Sequence, residues 1–179
     1  MYIWTVLSDR LIRAITTIPS IQDWLVCLLL LIIYGAIAFP VGFLTGFLRI
    51  EWVTSWKSIL INMLVALIFP SIIEEVLFRA LPLPHPTSQA SLEAIALWSI
   101  GSLIIFILAH PLNALLVLTS RRETFFNGVF LTLAGLLGIV CTLTYLQSGS
   151  LWPPVTLHWA IVVIWLLCLG GDRRMTPAK

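Results

Sequence analysis

One stretch of eight residues, Ile72-Ile73-Glu74-Glu75-Val76-Leu77-Phe78-Arg79, sets two acids and a base in otherwise apolar surroundings. Glu75 and Arg79 are four apart with the acid first, the favourable order for a helical ion pair. Glu74 projects about 100° away around the helix and has no such partner. A carboxylate partly withdrawn from water and left without a cation is a candidate general base. The competing reading is a charged helix end near the headgroups, with all three groups solvated. A second polar group lies in Phe106-Ile107-Leu108-Ala109-His110-Pro111-Leu112-Asn113. His110 and Asn113 can share a face there, and Pro111 frees a backbone carbonyl one turn earlier, as in a helix lining a polar cavity. A purely structural histidine is the alternative. The third is His158, which follows the turn Gly149-Ser150-Leu151-Trp152-Pro153-Pro154. His85, in the run LPLPHPTSQAS, reads as a solvated side chain.

The elements that must hold these groups are apolar. Of 179 residues, 60% are hydrophobic and only 10% charged, against roughly 25% in soluble domains. Mean hydropathy is +1.05. A soluble domain of this length cannot hide so much apolar surface, whereas lipid accepts it. Crossing the hydrocarbon takes about 20 apolar residues, and five stretches meet or approach that length: about Trp24–Leu48, Ser58–Leu81, Glu93–Leu118, Phe125–Leu146 and Pro153–Leu169. Backbone amides in lipid need partners within their own segment, and nothing alternates like a barrel strand, so the spans are helices. The expected fold is an all-α polytopic transmembrane bundle of about five spans.

Ahead of it, Ile3, Trp4, Leu7, Leu11 and Ile15 repeat at helical spacing while Asp9, Arg10 and Arg13 lie largely elsewhere, which predicts a helix lying on the membrane surface. Pro19 and Ser20 should end it. Arg10 and Arg13 before an apolar run, with Ala36-Ile37-Ala38 beyond, have the elements of a signal peptide, but the run continues through Phe47 and reads as an uncleaved span. Gly42 and Gly46 sit four apart on one predicted helical face. The residue ranges are 1–22 for the amphipathic segment, 23–57 for the first span and its loop, 58–171 for the polar-site core, and 172–179 for a polar tail. Membrane lipids are the implied environment. A net charge of +2 and the absence of any like-charge block argue against nucleic acid as a partner. Cys27, Cys141 and Cys168 show no metal-type spacing and read as buried structural thiols.

A central charge in a span costs about 2.5–3.5 kcal/mol on insertion scales, so intramembrane ionisable groups are functional candidates. Glu74, Glu75, His110 and His158 fall on three different helices of one small bundle, and none can face lipid cheaply. A carboxylate with two imidazoles can activate water and stabilise an oxyanion, or it can ligate a metal. No Gly-x-Ser-x-Gly, no His-Glu-x-x-His and no phosphate loop competes. A proton-coupled carrier would also place Glu and His within spans, but five spans without inverted repeats speak against it.

Glu74-Glu75 with Arg79, Phe106 with His110, and His158 follow in order from about Ser58 to Leu169, and this arrangement resembles the CPBP family (CAAX proteases and bacteriocin-processing enzymes, also called Abi), whose eukaryotic members are type II CAAX prenyl endopeptidases. The resemblance implies an intramembrane peptidase acting on a membrane-associated peptide or protein tail. In it Glu74 would activate water, His110 would orient it and His158 would donate to the oxyanion. Glu75 and Arg79 would be the structural pair at the helix end, with Phe106 and Asn113 in support. It leaves the cofactor open between none and a zinc ion held by Glu74, His110 and His158. Val162 stands where the family pattern has Asn or Asp, which also admits a non-catalytic scaffold or assembly factor of the same fold. Sidedness gives two answers. Lys and Arg number two on one side of the membrane (Arg10, Arg13) and seven on the other (Arg49, Lys57, Arg121, Arg122, Arg173, Arg174, Lys179), which puts the C-terminus in the cytoplasm. The family implies a site open to the cytosol, yet the second and fourth spans end on the opposite side.

Overall fold

The structure, a computed structural model, describes residues 2–175. The chain is helical almost throughout: α1 (Tyr2–Thr16), α2 (Ile21–Leu44), α3 (Trp56–Ala66), α4 (Ile73–Glu75), α5 (Leu92–Leu116), α6 (Arg122–Phe125), α7 (Gly128–Ser148), α8 (Trp152–Cys168) and α9 (Gly171–Met175). Thr176 to Lys179, half of the expected polar tail, lie outside the described residues, whereas Asp172 to Met175 belong to α9.

Local sequence explains where the helices start. Ser20 caps α2 in a reciprocal box with Asp23, so it opens this helix and α1 has already ended at Thr16. Ser55, Ser91 and Asn127 accept from first-turn amides of α3, α5 and α7. Gly149, at φ 66°, closes α7 in the left-handed conformation, and Pro153 and Pro154 open α8, where no amide partner is required. Among the described residues, four helical runs are long and apolar enough to cross a membrane: Ile21–Leu44, Trp56–Ala80, Leu92–Leu116 and Gly128–Ser148. The fifth expected span is the shorter helix α8, whose 17 residues cover roughly 25 Å at 1.5 Å each. Its last carbonyls are capped instead by a strand-like segment, as the amides of Arg49, Glu51 and Val53 donate to Leu169, Cys168 and Leu167.

Helices α7 and α8 pack together, with α2 laid against both, α5 against α7, and α3 against α8. One core cluster joins Tyr34, Leu137, Cys141 and Leu157; a second joins Ala14, Leu83, Tyr145 and Leu151. The bundle thus has an N-terminal face, carrying α1, residues 81–91 and the Gly149 turn, and a C-terminal face, carrying residues 45–55, 117–127 and α9.

Three expectations are corrected at these faces. Helix α1 exposes Ile3, Trp4, Ile12 and Ile15, but Arg10 turns inward and donates to the Leu81 and Pro82 carbonyls at 3.0 and 2.8 Å. Arg10 thereby caps the carbonyl end of the second span, which outweighs leaving its charge in water. His85 is buried rather than solvated. Its Nε2 donates to the Gly149 carbonyl at 3.0 Å, tying two connections together. Gly42 and Gly46 do not share a helix face, because α2 ends at Leu44 and Gly46 turns the chain at φ 69°. The chain then folds back, and Leu48 occupies the space that a Cβ on Gly42 would need.

Candidate functional site

The run that carries the glutamates is not a regular helix. Pro70 cannot continue one, and Phe69 before it is extended at φ −121°, ψ 109°. Wide π-helical turns over Leu67–Ile72 and Val76–Ala80 flank the single turn of α4. Such turns re-aim side chains and recur at functional sites. Ser71 recovers one freed carbonyl, donating to Ala66 at 2.7 Å. The break lay in plain view as Pro70 inside an apolar run, although sequence reasoning treated that run as one continuous span.

Glu74 and Glu75, adjacent on the turn of α4, enter different surroundings. Glu75 and Arg79 have side chains 0% and 1% exposed. Arg79 Nη1 donates to Glu75 Oε1 at 3.0 Å, and its Nη2 donates to the Gly138 carbonyl on α7 at 3.0 Å. The guanidinium also lies 4.7 Å from the Phe106 ring centroid. These two residues are therefore a fully buried link between the second span, α5 and α7, not a pair at a helix end. The same Glu75 Oε1 accepts from His158 Nδ1 at 2.7 Å. A carboxylate against Nδ1 fixes the tautomer: Nδ1 carries the proton, and the neutral ring presents a lone pair on Nε2.

Glu74 keeps 24% of its side chain exposed, and its Oε2 lies 3.9 Å from His158 Nε2. That gap is too long for a direct hydrogen bond. A water at about 2.8 Å from both would bridge it at an angle of roughly 90°, tighter than tetrahedral. His110 lies on the same cavity wall system, and its Nδ1 donates to the Phe106 carbonyl at 2.9 Å. Phe106 stands between the imidazoles, edge-on to His110 at 5.0 Å and to His158 at 6.3 Å. Asn113 borders the cavity as well. Val162 also lines it.

The cavity measures about 1220 Å³ and is walled mostly by apolar side chains. From Glu74 it reaches Leu118, Arg121, Asp172 and Met175, all on the C-terminal face, while no residue of 81–91 or of the Gly149 turn borders it. The second and fourth spans do end on the N-terminal face, but the cavity leads away from those ends.

Spacing alone missed Cys141. One ligand atom each from Glu75, Cys141 and His158 lie within 4.8 Å of one another, all buried, whereas Glu74, His110 and His158 form no such set among the described residues. The Glu75 cluster is poorly suited to a cation: Glu75 Oε1 already serves both Arg79 and His158 Nδ1, and the guanidinium would sit beside the ion. Gly138 was missed as well. A Cβ there would meet Leu103 at 2.6 Å and Phe106 at 3.1 Å. Gly138→Ala should destabilise the protein by about 1–3 kcal/mol through overpacking, read as a lowered Tm in detergent.

The family model described as type II CAAX prenyl endopeptidase Rce1-like matches residues 54–164. No individual curated protein and no solved structure matches significantly. The matched segment runs from before α3 into α8 and holds Glu74, Glu75, Arg79, Phe106, His110 and His158 in one continuous arrangement. With more than half of its length matched, this integral membrane protein belongs to the Rce1-like family of type II CAAX prenyl endopeptidases.

Proposed function

We propose that the chain is an intramembrane endopeptidase in which Glu74 activates water against a peptide bond of a membrane-associated peptide or protein tail. One observation carries the reading: of two adjacent glutamates, Glu75 is consumed by Arg79 and His158, while Glu74 faces the cavity beside the His158 Nε2. Glu74 takes one proton from water as the water oxygen bonds to the carbonyl carbon. It returns that proton to the nitrogen as the C–N bond breaks, leaving an acid and an amine. Glu75 holds the His158 ring in place, and Phe106 with the Phe106 carbonyl fixes His110. The apolar walls suit a substrate that arrives from lipid.

In this reading the cavity mouth faces the cytosol, the side that the excess of Lys and Arg in the sequence favours for the C-terminal connections. Single cysteines introduced at Ser88 and at Thr54 test this in intact cells: an impermeant maleimide from outside should label position 88 and spare position 54. The reverse pattern would invert the topology.

Val162 favours a second reading, a scaffold that binds peptides without cutting them, because the cavity wall one turn beyond His158 bears no hydrogen-bonding group. Purified protein in detergent, given a quenched prenyl-peptide and a peptide library, separates the two. Cleavage that disappears in Glu74→Ala supports the peptidase. Binding without cleavage across the panel supports the scaffold.

A further inference from the structure

The C-terminal face carries a group of cations that the cavity chemistry does not use. The amides of Arg49, Glu51 and Val53 pair with the end of α8, so residues 49–53 run extended along its rim. Side chains alternate along such a segment. Arg49 and Glu51 fall on the side of Gly170, where an added Cβ would lie 3.9 Å from the Arg49 Cβ and 3.4 Å from Glu51 Oε2. Ile50 and Trp52 fall on the other side and are exposed, as are Leu44 at the end of α2 and Trp56 at the start of α3. Indole rings and apolar side chains left open beside cations are the pattern of the headgroup layer. This rim therefore sits at the depth of lipid phosphates.

Arg174 is fixed against the rim. Its Nε donates to the Phe47 carbonyl at 3.2 Å, its Nη2 to the Gly46 carbonyl at 3.4 Å, and the guanidinium lies 4.6 Å from the Phe47 ring centroid. These contacts hold the cation in place without neutralising it. Burial, with the like charges of Arg49 and Arg173, pushes its pKa below the usual value, and no carboxylate among the described residues offsets them there. The nearby acids are engaged elsewhere: Glu51 pairs with Arg173 at 3.3 Å, and Asp172 accepts from Asn62 at 2.9 Å. Arg49 is exposed, and its side chain has no hydrogen bond or ion pair among the described residues. Arginines gathered in this way with no acid between them call for an anion, and guanidinium geometry matches phosphate oxygens in pairs.

We propose that Arg49 and Arg174 bind the phosphate of an anionic phospholipid headgroup at the rim between α2, α8 and α9. The depth set by Trp52 and Trp56 favours a lipid over a soluble anion, and the uncompensated charge favours an anionic headgroup over a zwitterionic one. Neither arginine lines the cavity, so the site is independent of the peptidase reading.

Melting the purified chain in a neutral detergent with increasing phosphatidylglycerol reads the site through ligand-linked Tm. Phosphatidylglycerol should raise Tm with a saturable midpoint, while phosphatidylcholine or inorganic phosphate at the same concentrations should leave Tm unchanged. Arg49→Gln, which gives up no hydrogen bond or ion pair among the described residues, should raise that midpoint about fivefold, the effect of one cation near the membrane surface. Arg174→Gln should raise it at least as far. Arg122→Gln removes the same charge from an exposed position on the same face, outside the cluster, and should leave the midpoint where it is. An unchanged midpoint in Arg49→Gln would overturn the site even if Arg174→Gln does not fold. Equal weakening in Arg122→Gln would replace the site with a diffuse charge effect and overturn it as well. Phosphatidylcholine acting like phosphatidylglycerol would remove the charge recognition, and inorganic phosphate giving the full shift would remove the lipid.

Discussion

Arg79→Ala should cost about 3–5 kcal/mol of stability, because it strands the Glu75 carboxylate without a cation in a fully buried site. The loss goes beyond one ion pair. Arg79 also closes the Gly138 carbonyl and covers the Phe106 ring, so the variant unties the second span from α7 and α5 together. The measurement is Tm in detergent, where a drop of many degrees is expected. Desolvating two charges is itself expensive, so the paired double variant Glu75→Leu with Arg79→Met should be less destabilised than Arg79→Ala, although it removes more contacts. A double variant that melts below the single one would mean that the network's hydrogen bonds, not the stranded charge, dominate.

Glu74→Gln has the opposite profile. The substitution keeps shape and removes a charge whose Oε2 has no hydrogen-bond partner among the described residues. Stability should therefore stay level or rise slightly, the usual direction when an isolated functional charge is removed. Cleavage should fall about 10²–10⁴-fold, the contribution of a positioned general base. KM should change little, since the apolar cavity walls are untouched.

Much of this site is written locally in the chain. Glu75 and Arg79 are four apart, so helical geometry alone pairs them, and the same geometry turns Glu74 aside. Phe106 and His110 are likewise one turn apart, and their rings meet edge-on. The apolar runs between polar connections reveal the bundle because bilayer energetics tolerates few other patterns.

What stayed hidden depends on contacts between distant segments. Glu75 meets His158 across 83 positions, which turns a presumed helix-end pair into the anchor of the second imidazole. Cys141 enters the cluster only because α7 and α8 pack together, and no spacing rule covers that. Arg10 was assigned to the polar face of α1 by periodicity, but uncapped carbonyls at Leu81 and Pro82 proved the stronger claim on it. His85 found the Gly149 carbonyl for a similar reason. Pro70 was visible, but the wide turns that follow it on both sides of α4 were not. The direction of the cavity, too, depends on which distant residues come to line it, from Glu74 to Asp172 and Met175.

The central claim is that two neighbouring glutamates have separate jobs, and measuring Tm and prenyl-peptide cleavage together for Glu74→Gln and Glu75→Gln tests it most directly. Glu74→Gln should melt with the wild type and not cleave, while Glu75→Gln should melt well below it as Arg79 and His158 lose their shared partner. Glu74→Gln cutting at the wild-type rate, or both variants losing Tm equally, would contradict it.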